Sequence, residues 1–227
     1  MSFLTALSLT AISSTIGLFF CGIPICRRIY SIGSTEGTSG APFLIASLSC
    51  LLWLQYGLLR HDKVVIFVNV VGAVLQLAYL SFYYVYTTGR LQKRRLKQIL
   101  LLEWMSLMLM EYLVHFADLT DNGEFILGAV CVFLNVSNIA APLAGLGEVI
   151  RTRSSESLPL PLCTANLIVS LQWFAYGSAV EDSVIQIPNV ISTFISLLQL
   201  SLFCIYPSKV TTKDTLLPTV KAPTAHI

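Results

Sequence analysis

The sequence predicts an all-α polytopic membrane protein: seven transmembrane helices, arranged as two parallel three-helix repeats joined by a linker helix (3+1+3). Three observations lead there. Of 227 residues, 55% are hydrophobic and 11% charged, with a mean hydropathy of +0.75, whereas a soluble domain carries about 25% charged residues. Apolar stretches of membrane-crossing length recur along the chain. The second half also repeats the first at a constant offset. The composition excludes a disordered chain. A net charge of +2, with its basic residues in loops, offers no footprint for nucleic acid.

A bilayer core of about 30 Å needs roughly 20 apolar residues per helix. Segments 3–26, 43–59, 64–88, 98–117, 125–148, 159–178 and 183–206 meet that need, the second being short but uncharged until Arg60. The first has no basic stretch before it and no small-residue cleavage site after it, so it reads as a helix and not a signal peptide. Cys21, Cys26, Cys50, Cys131, Cys163 and Cys204 all fall in apolar stretches, without a CxxC pair or a histidine at ligand spacing. Buried free thiols are expected, and neither metal nor cofactor.

Loop charge sets the orientation. Arg27, Arg28, Arg90, Lys93, Arg94, Arg95, Lys97, Arg151, Arg153, Lys209, Lys213 and Lys221 share one side, and only Arg60 and Lys63 lie on the other. Positive charge marks the cytoplasm, so the N-terminus is expected outside and the C-terminus inside. The polar, proline-bearing stretch 208–227 reads as a disordered cytoplasmic tail.

The most specific signal is the repeat. Trp53-Leu54-Gln55-Tyr56-Gly57, Asp62 and Asn69-Val70 recur as Trp173-Phe174-Ala175-Tyr176-Gly177, Asp182 and Asn189-Val190, each 120 residues on and without a gap. Upstream, Pro24 pairs with Pro142, Ser34-Thr35-Glu36 with Ser154-Ser155-Glu156, and Pro42 with Pro159. A three-helix unit that begins outside ends inside, so a second parallel unit requires one extra crossing. Helix 98–117 supplies it and matches neither repeat. The expected divisions are a first repeat over 1–89, a cytoplasmic basic loop and inverting helix over 90–122, and a second repeat over 123–207.

Carrier sites lie near the midplane where repeats meet. Trp53 is 11 residues from Pro42, about 16 Å along a helix, and Asn69 lies about 9 Å in from the opposite end of its own helix. Both reach the same central depth, and the repeat sets Trp173 and Asn189 against them. Carboxamides both donate and accept hydrogen bonds, as the hydroxyls of a neutral polar solute do. Indole faces suit the apolar faces of such a solute. The alternatives are an asparagine that bonds helix to helix and tryptophans that anchor at the interface. Duplication at matched central depth favours the substrate.

A late proline in the first helix, Ser-Thr-Glu-Gly, a second proline, Trp-x-x-Tyr-Gly and an asparagine in the next helix together resemble the SWEET sugar transporters of the PQ-loop group, in their animal form. The resemblance covers residues 5–207. Pro24-Ile25 and Pro142-Leu143 stand where a Pro-Gln dipeptide would mark the amino-acid exporters. The family is a known case of parallel repeats. The resemblance implies that Thr15, Leu18, Ser49, Asn135, Asn138 and Val169 join the pocket. It makes Pro24, Pro42, Pro142 and Pro159 hinges of an inner gate, where proline kinks a helix. It makes Tyr56, Gly57, Tyr176, Gly177, Asp182 and Pro188 an outer gate, in which a phenol could bond Asp182 across the pore. The bulk of Asn135 and Asn138 leans towards a monosaccharide over a disaccharide.

The function expected is gradient-driven, bidirectional uniport of a neutral sugar such as glucose by alternating access, in the plasma membrane or, failing that, the Golgi or another endomembrane. Its partners are the sugar and the lipid bilayer, with homo-oligomers common in the family. The alternative, a proton-coupled PQ-loop exporter of amino acids, requires an ionisable group in the pathway. Candidates are Glu103, Glu111 and His115, all on the linker helix, where Glu111 and His115 at i,i+4 are expected to pair. A seven-helix receptor has no reason to repeat three helices. No nucleophile–base pair, metal cluster or phosphate loop points to an enzyme.

Overall fold

A computed structural model describes residues 3–115, 123–138, 140–156 and 158–206, leaving aside the side chains at 115 and 140–142. The described residues form helices and no strands: α1 (Phe3–Phe19), α2 (Gly22–Ile32), α3 (Ala41–Leu59), α4 (Lys63–Tyr86), α5 (Arg90–His115), α6 (Gly123–Asn138), α7 (Ala140–Thr152), α8 (Leu160–Ala179) and α9 (Ser183–Ile205). α1 with α2, and α6 with α7, each make one crossing, giving seven. By length and composition Phe3–Ile32, Ala41–Leu59, Lys63–Tyr86, Gly123–Thr152 and Ser183–Ile205 are long and apolar enough to span a bilayer. The other two are long enough but more polar. α5 opens on a basic run, and α8 carries Thr164, Asn166, Ser170 and Gln172. Phe67, Val74, Trp104, Phe133 and Phe194 are more than half exposed on the outer surface, as lipid-facing side chains should be.

The ends of the elements follow from local chemistry. Pro24 has no N–H for the Phe20 carbonyl, and the helix breaks there, with Cys21 and Ile23 donating to the carbonyls three residues back (3.0 Å each). Gly33, in the left-handed region at φ 73°, closes α2 by donating its N–H to Ile29 and Tyr30. Asp62 caps α4, accepting from the N–H groups of Val64 and Val65, and Asp182 caps α9 through Val184 and Ile185. The repeat extends to the backbone. His61 and Glu181 (φ 53° and 56°) are both left-handed, as are Gly33 and Arg153 (φ 51°), although the side chains differ.

Within each unit the first crossing packs on the third and the third on the second: α1·α4 and α4·α3 in one, α6·α9 and α9·α8 in the other. The units meet reciprocally, α1 against α8 and α3 against α6, while α5 packs on α3 and α6. Three apolar clusters result. One joins both units and the linker at the end away from the basic loops, around Leu52, Tyr56, Val65, Leu107, Leu127 and Tyr176. At the basic end each unit has a core of its own, around Ile29, Phe43 and Tyr83 in the first and Val149, Leu158 and Ile195 in the second. The units are welded at one end and separate at the other.

Several expectations change. The first crossing runs to Ile32, past Arg27 and Arg28, and not to residue 26. The basic stretch from Arg90 is not a loop but the start of α5. All six cysteines are free, but Cys21 and Cys204 are exposed rather than buried. The tail 208–227 lies outside the described residues.

Candidate functional site

A cavity of about 200 Å³ lies between the units at mid-depth, walled by Thr15 and Phe19 of α1, Ser49, Cys50 and Trp53 of α3, Val65, Val68 and Asn69 of α4, Asn135 of α6, Trp173 of α8, and Ile185 and Asn189 of α9. Every long crossing except α5 contributes. The two asparagines are held alike: Asn69 Nδ2 donates to the Val65 carbonyl (2.8 Å) and Asn189 Nδ2 to that of Ile185 (2.7 Å). Each bond uses one amide hydrogen and fixes the rotamer. One N–H and the Oδ1 of each carboxamide are left for a ligand. The indoles are also held alike, Trp53 edge-on to Tyr56 (5.6 Å) and Trp173 edge-on to Tyr176 (5.5 Å). Trp173 Nε1 donates to Thr15 Oγ1 at 2.9 Å, and Ser14 Oγ donates to Gln172 Oε1 at 2.5 Å, so polar bonds join α1 to α8 across the interface.

The welded end is sealed just beyond the indoles. Tyr56 Oη donates to both carboxylate oxygens of Asp182 (2.8 and 3.0 Å), and Tyr176 Oη to both of Asp62 (2.8 and 2.9 Å). Each phenol therefore reaches from one unit to the carboxylate that caps a helix of the other. Tyr56 is 1% exposed and Asp182 5%. Arg60 reinforces one side, with Nη1 2.6 Å from Glu124 and Nε 3.6 Å from Asp182. Gly57 and Gly177 let α3 and α8 approach the next helix closely. A Cβ on either would lie 3.0 Å from Val65 or Ile185 and 3.1 Å from a backbone nitrogen of that helix.

Of the residues expected in the pocket, Asn69, Asn189, Trp53, Trp173, Ser49, Asn135 and Thr15 line this cavity, while Asn138 and Val169 line an adjoining one. Leu18 lines neither; it is half-buried on α1. Pro24 sits at the α1–α2 break, whereas Pro42 is in the first turn of α3 and Pro159 is the residue before α8, so these two start helices and do not kink them. Pro142 is in α7, with its side chain outside the described residues. Pro188 is buried inside α9 beside Asn189, and not in the sealing turn. Glu111 accepts from Gln55 Nε2 (3.1 Å) on the flank of α3, and the expected His115 side chain lies outside the described residues. Glu103 faces Ser47. Neither acid is among the residues that line the central cavity or the one adjoining it. The sequence reading missed Asp62 as a sealing residue, although its pairing with Asp182 was a signal. It also missed Ser14, Gln172, Arg60 and Glu124, which carry none.

Comparison with known proteins gives a consistent result. The family model described as "Sugar efflux transporter for intercellular exchange" matches residues 5–91 and again 125–211. The chain is 43% identical over 213 residues to the Caenorhabditis elegans protein named Sugar transporter SWEET1, covering 94% of this chain and 69% of that one. It is 42% identical to the Drosophila pseudoobscura pseudoobscura protein of the same name, covering 89% of each. To the Medicago truncatula Bidirectional sugar transporter N3 it is 34% identical, covering 83% of this chain and 71% of that one. A solved structure, "The 3.7 A resolution structure of a eukaryotic SWEET transporter", superposes with a TM-score of 0.83 at 30% identity, over 89% of this chain and 96% of that one.

Proposed function

The chain belongs to the SWEET family of sugar transporters, and on that premise we propose that it carries a monosaccharide such as glucose in either direction, driven only by the sugar gradient. The observation that carries this reading is the duplicated pair of indole and carboxamide, Trp53 with Asn69 and Trp173 with Asn189, around one neutral cavity between two repeats. The sugar lies with its C–H faces on the indoles and its hydroxyls on the two free amide edges. No acidic or basic residue is among those lining the cavity, which favours uniport over proton coupling.

Access alternates by rocking one repeat against the other. With the basic loops on the cytoplasmic side, the N-terminus is outside and the C-terminus inside, and the conformation described is sealed outward by Tyr56–Asp182 and Tyr176–Asp62. Separate cores at the cytoplasmic end leave the repeats free to part there. Pro24 at its helix break, with Pro42, Pro142 and Pro159 at the same end, forms the inner hinge region. Binding and sealing touch, since each indole packs on the tyrosine that bonds the opposite aspartate. The plasma membrane is the proposed location, with homo-oligomers as the assembled form. The divisions 1–89, 90–122 and 123–207 are the proposed units of motion and linkage.

Radiolabelled glucose uptake and efflux in hexose-transport-deficient cells, at two external pH values, tests the proposal. Transport in both directions, independent of pH and lost in Asn189→Ala, is expected. A wild type that reaches the surface and moves no hexose refutes it, and transport that survives the mutation moves the site elsewhere.

A further inference from the structure

The linker helix α5 begins on a run of cations, Arg90, Lys93, Arg94, Arg95 and Lys97. It has 26 residues, which makes it about 39 Å long, about 9 Å more than a hydrocarbon core. Its apolar stretch starts only at Ile99, so the surplus length is the basic end, and that end stands at headgroup level. At about 100° per residue, Arg90, Lys93, Arg94 and Lys97 share one face, in an arc of about 100° and over about 10 Å of helix. Lys93 is half-buried and the other three are exposed. The Nζ atoms of Lys93 and Lys97 both stand over the Tyr84 ring, 5.2 and 5.6 Å from its centroid. Leu96 and Leu100 pack into the basic-end core of the first repeat and hold the helix against it.

Among the described residues no carboxylate neutralises this face. The first turn of α5 has no acidic residue, and none follows before Glu103. None of the four cations is in an ion pair there. Like charges at i,i+3 and i,i+4 repel each other, and the positive end of the helix dipole adds to the repulsion. A counter-charge from outside the chain relieves both. The same arc continues one turn further on as Leu101, Trp104 and Met108, all exposed. A cationic patch at headgroup level above an apolar strip at acyl depth complements a phospholipid with a net negative headgroup. A soluble anion would use only the upper half. The rule that orients the chain counts cations and takes no account of the face they occupy, whereas gathering them on the lipid-facing arc is what a lipid contact needs.

We propose that this face of α5 is a binding site for an anionic phospholipid, its headgroup on Arg90, Lys93, Arg94 and Lys97 and an acyl chain along Leu101, Trp104 and Met108. The inference does not depend on what the central cavity carries. The test uses the full chain in neutral detergent, with binding of phosphatidylserine and of phosphatidylcholine of the same acyl chains measured by native mass spectrometry. Wild type binds phosphatidylserine at least tenfold more tightly. Arg94→Gln with Lys97→Gln lowers that affinity at least fivefold, and Arg94→Gln alone lowers it at least twofold. Arg151→Gln with Arg153→Gln, which removes the same charge at the same end, where Arg151 already pairs with Glu148, changes it less than twofold. Arg90→Lys with Arg94→Lys keeps it. An unchanged melting temperature without lipid shows that each variant is folded. Equal affinity of wild type for the two lipids overturns the site, as does equal loss in the α5 pair and the Arg151 and Arg153 pair. Glycerophosphoserine, the headgroup without its chains, binds at least tenfold more weakly than the lipid, and binding as tight as the lipid's overturns the lipid assignment in favour of a soluble anion.

Discussion

Removing one hydroxyl at the seal tests the reasoning most directly. In Tyr56→Phe the ring keeps its packing against Trp53 but loses the bond to both Asp182 oxygens. A hydrogen bond to a charged group contributes about 1.5–3 kcal/mol. Asp182 still accepts from the N–H groups of Val184 and Ile185 and keeps Arg60 at 3.6 Å. The carboxylate is therefore not orphaned, and the lower part of that range, about 1.5–2 kcal/mol, applies. The bond exists only while the outer end is closed, so its loss raises the outward-open population by about 10–30-fold at 1.4 kcal/mol per decade. Cys50 in the central cavity is a native reporter. With the other five cysteines replaced by serine or alanine, its rate of modification by a membrane-impermeant thiol reagent outside the cell should rise by that factor. Tyr176→Phe should behave alike, its bonds being equivalent. Unchanged external labelling in both variants at normal surface expression would refute the argument.

The aspartates each do two jobs, which substitution separates. Asp62→Asn keeps the helix cap and loses only the charge at the seal, whereas Asp62→Ala should cost about 1 kcal/mol more in thermal stability, read as a lower melting temperature in detergent. Gly57→Leu forces a side chain into Val65 and the Ile66 backbone and should destabilise the fold by about 1–3 kcal/mol, seen as loss of the monodisperse peak in size exclusion. Arg153→Gly should stabilise by about 1 kcal/mol, since a left-handed backbone strains every residue with a Cβ. Gly33→Ala should cost a similar amount, both read from detergent melting curves.

Much of the fold was legible because duplication makes a sequence its own comparison. Trp53, Tyr56, Asp62 and Asn69 each have a partner 120 residues on, and no single one would have been informative alone. Helix ends are less legible where a run of charge follows an apolar stretch. Arg27, Arg28 and the run from Arg90 lie within helices, because long basic side chains reach water from a helix that continues past the apolar core. The prolines were legible as a set but not one by one. Only a complete trace shows that Pro24 follows a break while Pro42 sits where a helix has spare N–H groups anyway. The contacts of Ser14 with Gln172 and of Thr15 with Trp173 depend on how α1 meets α8, which no periodicity reveals. The size of Asn135 and Asn138 suggested a narrower cavity. Their direction, invisible in sequence, makes Asn138 a wall of an adjoining cavity and Asn135 a wall of both.

The reciprocal seal also bears on leakage. Each aspartate is tethered by two backbone N–H groups of its own helix and cannot follow a phenol that moves away. Hydrogen bonds weaken steeply with distance and angle, so such a bond releases abruptly. Both bonds cross from one repeat to the other, so motion of one repeat against the other loads both, although Arg60 backs only the one at Asp182. Partly open arrangements, through which water and ions would pass, therefore gain nothing from the seal. On the alternating-access proposal, a seal of this kind favours two resting states with a brief crossing between them.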